Sequence, residues 1–560
     1  MNKTGQPLKL EPNFKPLVIL AVIGLVLFLI FQVFPSTSSR TLETGKTPEM
    51  ISKPEAAKAA ERFVREQMQM APAPEETPPL VTYQSRSDVY GYLSKENKLD
   101  EYNKKYESKY PYDVYRVRFE EPDGTALNVD VHMQNGGIAG FSYDLEGSRY
   151  KGAMLQGEGV RREMLLIIEG DLSLAEKQAL AEPWVQRAGY DSSRLELLTR
   201  EGEPGLQYRD PAAKVGDAVL QLGFTFENGQ LRSYEPAFSV PKTHSAYVEK
   251  QTLNATLLTI LGYGLFTLVL GVLAIIYSVK TKAHTSFKRG IFLASLLFVI
   301  QMLNTYNLIP FFKAEGMSAS GISGIMIFYA GYSLIFSALL YFSLVGGNGL
   351  WRKENGLNPW PQAKDPGYGP YVLQSMKVGY VWALILLGVQ SIIFVGLSLT
   401  LHTWSTTDAS QSPYNMLYPW LFPLMAWFAG ISEEAVYRLF GIKMVKKIVR
   451  NTFAASLITS IIWALGHTLY PIYPVISRPI ELVIIGLLFS FVFLRYGYLS
   501  AVFAHVVFNS ILMGFSLMMM NDTANLLFGI FYIILPAIVG YAIYKFNPGP
   551  PTKETAYPSI

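Results

Sequence analysis

The sequence predicts a mostly α-helical, polytopic membrane bundle of about ten transmembrane helices, with an inserted extracytoplasmic α+β domain. Three observations predict it. Half of the 560 residues are hydrophobic and only 16% are charged, against roughly 25% in an average soluble protein. The apolar residues fall in one segment near the N-terminus and in a dense block after residue 250. The stretch between them, residues 36–250, has ordinary polarity and strand-like alternation. A formal net charge of +4 argues against a nucleic-acid binder. The absence of cysteine excludes disulfides, thiolate metal sites and a cysteine nucleophile. It also fits a bacterial envelope better than a eukaryotic secretory route.

Residues 1–35 form a cytoplasmic N-terminus and a first anchor. Pro16 to Phe34 is almost purely apolar, and about 19 residues suffice to cross a hydrocarbon core of about 30 Å. Lys3, Lys9 and Lys15 precede it and the next basic residue is Arg40, which places the N-terminus in the cytoplasm. The run is longer than the apolar part of a signal peptide and no clear A-x-A site follows Pro35, so an uncleaved anchor is expected.

Residues 36–250 read as two weak repeats, 50–148 and 170–245. The first opens with a helical pattern over Lys53 to Val64, followed by alternating strands at Val114–Phe119, Ala126–Met133 and Ile138–Tyr143. The second has a helix over Leu174 to Ala188, then strands at Ala218–Glu227 and Gln230–Phe238. Asn135-Gly136 and Asn228-Gly229 stand at matching positions, where a tight turn requires positive φ. A helix followed by antiparallel strands, twice, resembles the PepSY-like α+β module.

From Leu253 onward, apolar spans are expected near 253–279, 290–311, 321–346, 378–402, 415–441, 452–472, 479–495, 498–519 and 525–545. Residues 251–410 form one group of these helices and 411–548 a second, with a cytoplasmic tail at 549–560. Lys280, Lys282, Lys288 and Arg289 share one loop. Arg352, Lys353, Lys364 and Lys377 share another, and Lys443, Lys446, Lys447 and Arg450 a third. All three become cytoplasmic if residues 36–250 lie outside. The expected location is a bacterial plasma membrane.

Ionisable residues inside a bilayer are costly and so mark function. In Glu433-Glu434-Ala435-Val436-Tyr437-Arg438, the second glutamate and the arginine are i and i+4 and can pair. Glu433 points about 100° away from them and is left without that partner, as a candidate general base. A structural Glu–Arg pair is the bland alternative. Trp463-Ala464-Leu465-Gly466-His467 puts a histidine one turn beyond an aromatic. His505-Val506-Val507-Phe508-Asn509 puts histidine and asparagine on one helical face. Taken separately, each could be an interhelical hydrogen-bonding device.

In combination, EExxxR, aromatic-xxx-His and HxxxN on successive membrane helices resemble the CPBP family. These are the CAAX-processing and bacteriocin-immunity-type (Abi) intramembrane proteases, including Rce1-type prenyl-protein endopeptidases. The resemblance covers roughly residues 411–545, and Trp463 stands where phenylalanine is usual. It implies a water activated by Glu433 with help from His467, and an oxyanion hole from His505 and Asn509. It further implies a supporting frame of Glu434, Arg438 and Trp463. The substrate would be a membrane-embedded or membrane-proximal peptide. A metal-free glutamate mechanism without cofactor is favoured; the alternative is Zn²⁺ held by Glu433, Glu434, His467 and His505. Two other functions compete with proteolysis. A catalytically silent peptide-binding scaffold or immunity factor would keep the same cavity. A proton-coupled transporter would place ionisable residues in both halves of the membrane block, but spans 253–402 carry almost none.

Overall fold

The computed structural model describes residues 1–34, 50–69, 78–120, 125–144, 168–170, 172–520 and 522–547. Arg40, the end of the first repeat and the 549–560 tail lie outside the described residues.

The soluble part is built on an eight-stranded antiparallel sheet. Its strands are β1 (Leu80–Ser85), β2 (Asp113–Glu120), β3 (Ala126–His132), β4 (Ile138–Asp144), β5 (Glu196–Leu197), β6 (Leu206–Val215), β7 (Ala218–Glu227) and β8 (Gln230–Ser239). They run in the order β1-β2-β3-β4-β8-β7-β6-β5. Each half is thus a four-stranded meander, and the two halves meet through their last strands. Each half also opens with a helix started by the same device. Ser52 caps Lys53–Gln67 with Glu55 reaching back, and Ser173 caps Leu174–Arg187 with Glu176 doing the same. These reciprocal bonds satisfy amide donors that a helix start leaves orphaned. Both halves therefore share the order of one helix and a four-stranded meander.

The two Asn-Gly turns differ. Asn228 and Gly229 both have positive φ, 49° and 74°, as a two-residue hairpin requires. The 133–137 connection is longer; only Gly136 there is left-handed, while the Asn135 side chain accepts from Gly137 N at 2.8 Å. Strands β1, β5 and β6 were not anticipated. Strand β1 is short and follows a Pro-rich run, β5 has only two residues, and β6 contains Pro211 and a register shift between Asp210 and Lys214.

Among the described residues, eight helices are long and apolar enough to cross a membrane. They are α1 (Phe14–Val33), α2 (Lys242–Lys280), α3 (Ile291–Ala314), α4 (Ala319–Asn355), α5 (Tyr368–Leu401), and, after two further helical segments, Ser477–Tyr496, Tyr498–Met518 and Thr523–Phe546. The chain is a multi-pass membrane protein. The two remaining expected spans have another form. Residues 415–441 begin as single helical turns and become α6, which is α-helical over Leu424–Glu433, π-helical over Glu434–Ile442 and α-helical again over Lys443–Val449. The 452–472 span is the shorter helix α7, Thr452–Leu465. The last three helices are therefore α8, α9 and α10. Helix α2 begins well before its apolar stretch, so it runs from the soluble part into the bundle without a break.

The three basic loops come together on one rim. Lys443 lies 2.9 Å from Glu354, Lys447 pairs with the same carboxylate, and the Arg289 guanidinium lies 4.0 Å from the Trp360 ring centre. Asn2–Lys3 pairs with Leu357–Asn358 on this rim. The soluble sheet sits on the opposite rim, where Asn415 meets Tyr83.

Candidate active site

Three elements converge on a buried polar cluster inside the bundle: α6, the end of α7, and α9, with α8 packed behind them. Gly430 lets α6 lie against α9, since a Cβ there would be 2.7 Å from Val506 Cγ2 and 3.1 Å from Val506 N. Gly486 does the same for α8, where a Cβ would be 2.9 Å from Ser460 and 3.1 Å from the Trp463 ring. Small residues at such crossings allow the backbones to approach closely.

Glu434 and Arg438 are both fully buried and 3.1 Å apart. Their pairing survives the local change from α to π winding, a distortion frequent at functional sites. The arginine also reaches Gly486 O at 3.4 Å, and its guanidinium lies over Trp463 at 4.5 Å and Phe489 at 5.4 Å. The same Glu434 Oε1 lies 2.9 Å from His505 Nδ1.

Glu433 lies apart from the Glu434–Arg438 pair and has partners of its own. Its side chain retains 23% exposure, and His505 Nε2 stands 3.7 Å from its Oε2. The indole N–H of Trp463 donates to that oxygen. Trp463 is thus the hub of the cluster. It bonds Glu433, backs Arg438, meets the His467 ring edge-on at 5.2 Å and the His505 ring at 6.0 Å.

His467 is placed differently from its expected position on a membrane helix. Helix α7 ends at Leu465 with Gly466 as its cap, and the histidine lies in the following turn. There His467 Nδ1 is 3.0 Å from Trp463 O, and Tyr470 stacks on the ring at 5.9 Å. Asn509 follows His505 by one turn on α9 and is half-buried.

Sequence reasoning missed Phe489, whose ring stacks on His505 at 4.5 Å and 17°; nothing separates it in sequence from the other phenylalanines of α8. Glu481 belongs to another cluster, accepting from Arg478 at 2.6 Å and Gln390 at 2.7 Å.

Among the described residues, no group of three or more His, Asp or Glu side chains is arranged to hold a metal ion. Glu434, one of the four candidate zinc ligands, has an oxygen engaged by both Arg438 and His505.

A multi-pass bundle that gathers buried Glu434, Arg438 and His505 with half-buried Glu433 and His467 around one indole defines an intramembrane polar site. Residues 415–511, which contain the whole cluster, match the family model described as Type II CAAX prenyl endopeptidase Rce1-like. The resemblance of this segment to the CPBP (CAAX protease) family is therefore borne out, and it supports a protease-type hydrolase with a peptide substrate in a membrane setting. Comparison with curated proteins and with solved structures gives no match.

Proposed function

We propose that this protein is an intramembrane endopeptidase that hydrolyses membrane-associated peptides with a glutamate-activated water. The observation that carries the proposal is the placement of Glu433 and His505 on facing helices, 3.7 Å apart and braced by Trp463 and Glu434.

In this mechanism a water beside Glu433 gives its proton to the carboxylate as its oxygen attacks the scissile carbonyl carbon. His467 holds the water from the opposite side. His505 gives its Nδ1 proton as a hydrogen bond to Glu434. When the ring carries its second proton, the Nε2–H donates to the oxyanion together with the Asn509 amide. Such donors are worth roughly 3 kcal/mol each in the transition state. Collapse of the intermediate breaks the C–N bond, and the proton held by Glu433 passes to the leaving amine. No metal takes part in these steps. Hydrolysis in ¹⁸O-water tests the reaction type: the new carboxyl terminus takes up one label in the wild type, and Glu433→Gln forms at least about 10²-fold less product. A wild type that binds peptides without cleaving them supports the scaffold reading instead.

We further propose a bacterial plasma membrane location with the basic rim cytoplasmic and the soluble sheet outside, on the distribution of lysine and arginine. The cysteine-free chain makes this simple to test with single cysteines introduced at Thr285 and Ser410. An impermeant thiol reagent applied to intact cells labels the second and not the first; the reverse pattern inverts the topology.

A further inference from the structure

His467 sits beyond the end of its helix, so the turn at 466–473 must be held by something other than helical hydrogen bonds. Two segments hold it. One is α2: Thr468 Oγ1 donates to Ala255 O at 3.0 Å and meets Thr259 Oγ1 at 2.8 Å. The other is the 403–416 loop. Trp404–Ser405 pairs antiparallel with Ile472–Tyr473, Thr406 N donates to Pro471 O at 3.0 Å, and Trp404 stacks on Tyr473 at 4.5 Å.

That same loop is fastened to the soluble sheet. Asn415 is fully buried. Its Oδ1 accepts from Tyr83 N at 2.6 Å and its Nδ2 donates to Tyr83 O at 2.8 Å. An asparagine amide thereby satisfies a donor and an acceptor on the edge strand β1, as a neighbouring strand would. Ser87 Oγ donates to Thr407 O at 2.9 Å, Thr406 Oγ1 donates to Ser87 O at 2.5 Å, and Ser85 bonds the Thr407 hydroxyl. Lys53 Nζ donates to Tyr414 O at 2.5 Å. Gly91 leaves room for the indole of Trp404, to which a Cβ would come within 2.9 Å.

We infer that the soluble sheet is a positioning element for the active site, with Asn415 as the residue that transmits its position to His467. The path is short: Tyr83 on β1; Asn415 on the loop, whose Nδ2 also donates to Ala409 O at 2.9 Å; Thr406, three residues before Ala409; Pro471 on the turn; and His467 four residues earlier. The inference rests on the proposed role of His467 for its effect on turnover, but not for its effect on the His467 environment. Anything that competes for the β1 edge would act on turnover through this path.

The test uses the full-length protein and two readouts. The first is the rate at which diethylpyrocarbonate modifies His467, read by peptide mass spectrometry with buried His505 as internal reference. Asn415→Ala is expected to change that rate at least about threefold, since it removes both bonds by which the loop completes the β1 edge at Tyr83 and so loosens the loop locally. The second is a double-mutant comparison. Asn415→Ala lowers kcat about tenfold or more in the wild-type background with little change in KM, as a misplaced catalytic group does, and has no further effect on His467→Ala. Thr407→Val, which removes the hydroxyl bond to Ser85 and leaves the backbone bond to Ser87, should act in the same direction if Asn415→Ala folds poorly. A His467 modification rate unchanged in both variants overturns the inference. So does an equal loss of activity in both backgrounds, which marks a general structural role. If the wild type cleaves nothing, the protease reading fails, while the modification rate still decides the coupling.

Discussion

His505 Nδ1 lies 2.9 Å from Glu434 Oε1, so the second glutamate of the pair, already held by Arg438, is the one that orients the histidine. This divides the work of two adjacent carboxylates. Glu434 belongs to the frame and Glu433 faces the space where chemistry would occur. Glu433→Gln is expected to lower cleavage by about 10²-fold or more with a thermal midpoint near that of the wild type. Glu434→Ala is expected to destabilise by about 3–5 kcal/mol, because it leaves the Arg438 charge buried and unpaired. Thermal unfolding in detergent alongside turnover separates the two roles; similar stability losses for both variants would contradict this division.

Trp463 contributes both a hydrogen bond and a wall. Trp463→Phe keeps the wall and removes the N–H given to Glu433; fold and measurable activity should persist at a reduced rate. Trp463→Ala removes the support for both histidines and Arg438, and aromatic truncation in a packed core costs about 3–5 kcal/mol. Equal activity in the two variants would show that the wall is irrelevant.

Asn509 is half-buried and assigned to the oxyanion. Asn509→Ala should lower kcat by about 10²–10³-fold, the usual cost of one such donor, with stability nearly unchanged. A fall in stability with kcat retained would instead make it an interhelical clamp.

Gly430→Ala places a methyl against Val506, next to His505. Small-to-large changes at such contacts cost about 1–3 kcal/mol, and here the shift would also separate α6 from α9. Turnover should therefore drop by more than stability alone explains, measured at a temperature where the variant is fully folded.

Burial lowers the Lys53 amine from its ordinary value to about 8. Between about pH 8 and the ordinary lysine value near 10.4, the unfolded chain then binds more protons than the folded one, so stability rises with pH across that window. Below it the full cost of the buried charge remains. Lys53→Met should flatten this slope and raise the thermal midpoint near neutral pH; an unchanged slope would place the lysine in water.

Much of this was legible in the sequence because membrane helices and intramembrane charges leave strong local signals. Glu434–Arg438 pairing and the His505–Asn509 face follow from helical spacing alone. The soluble helices were readable from their helical patterns, and the structure adds that both start on Ser-x-x-Glu boxes. What stayed hidden depends on tertiary contact. The π winding after Glu433, the early end of α7 at Leu465 and the Trp463 bond to Glu433 are set by neighbouring helices and not by local pattern. Asn415, which opens the expected 415–441 span, shows nothing of its role until β1, itself unmarked in sequence, arrives beside it.

The most direct test is cleavage of reporter membrane peptides by the purified protein, comparing wild type, Glu433→Gln and His505→Ala with and without chelator. Cleavage by the wild type that is abolished in both variants and unaffected by chelator is the predicted result. Chelator-sensitive cleavage would contradict the metal-free mechanism. Cleavage that survives Glu433→Gln would contradict the central claim.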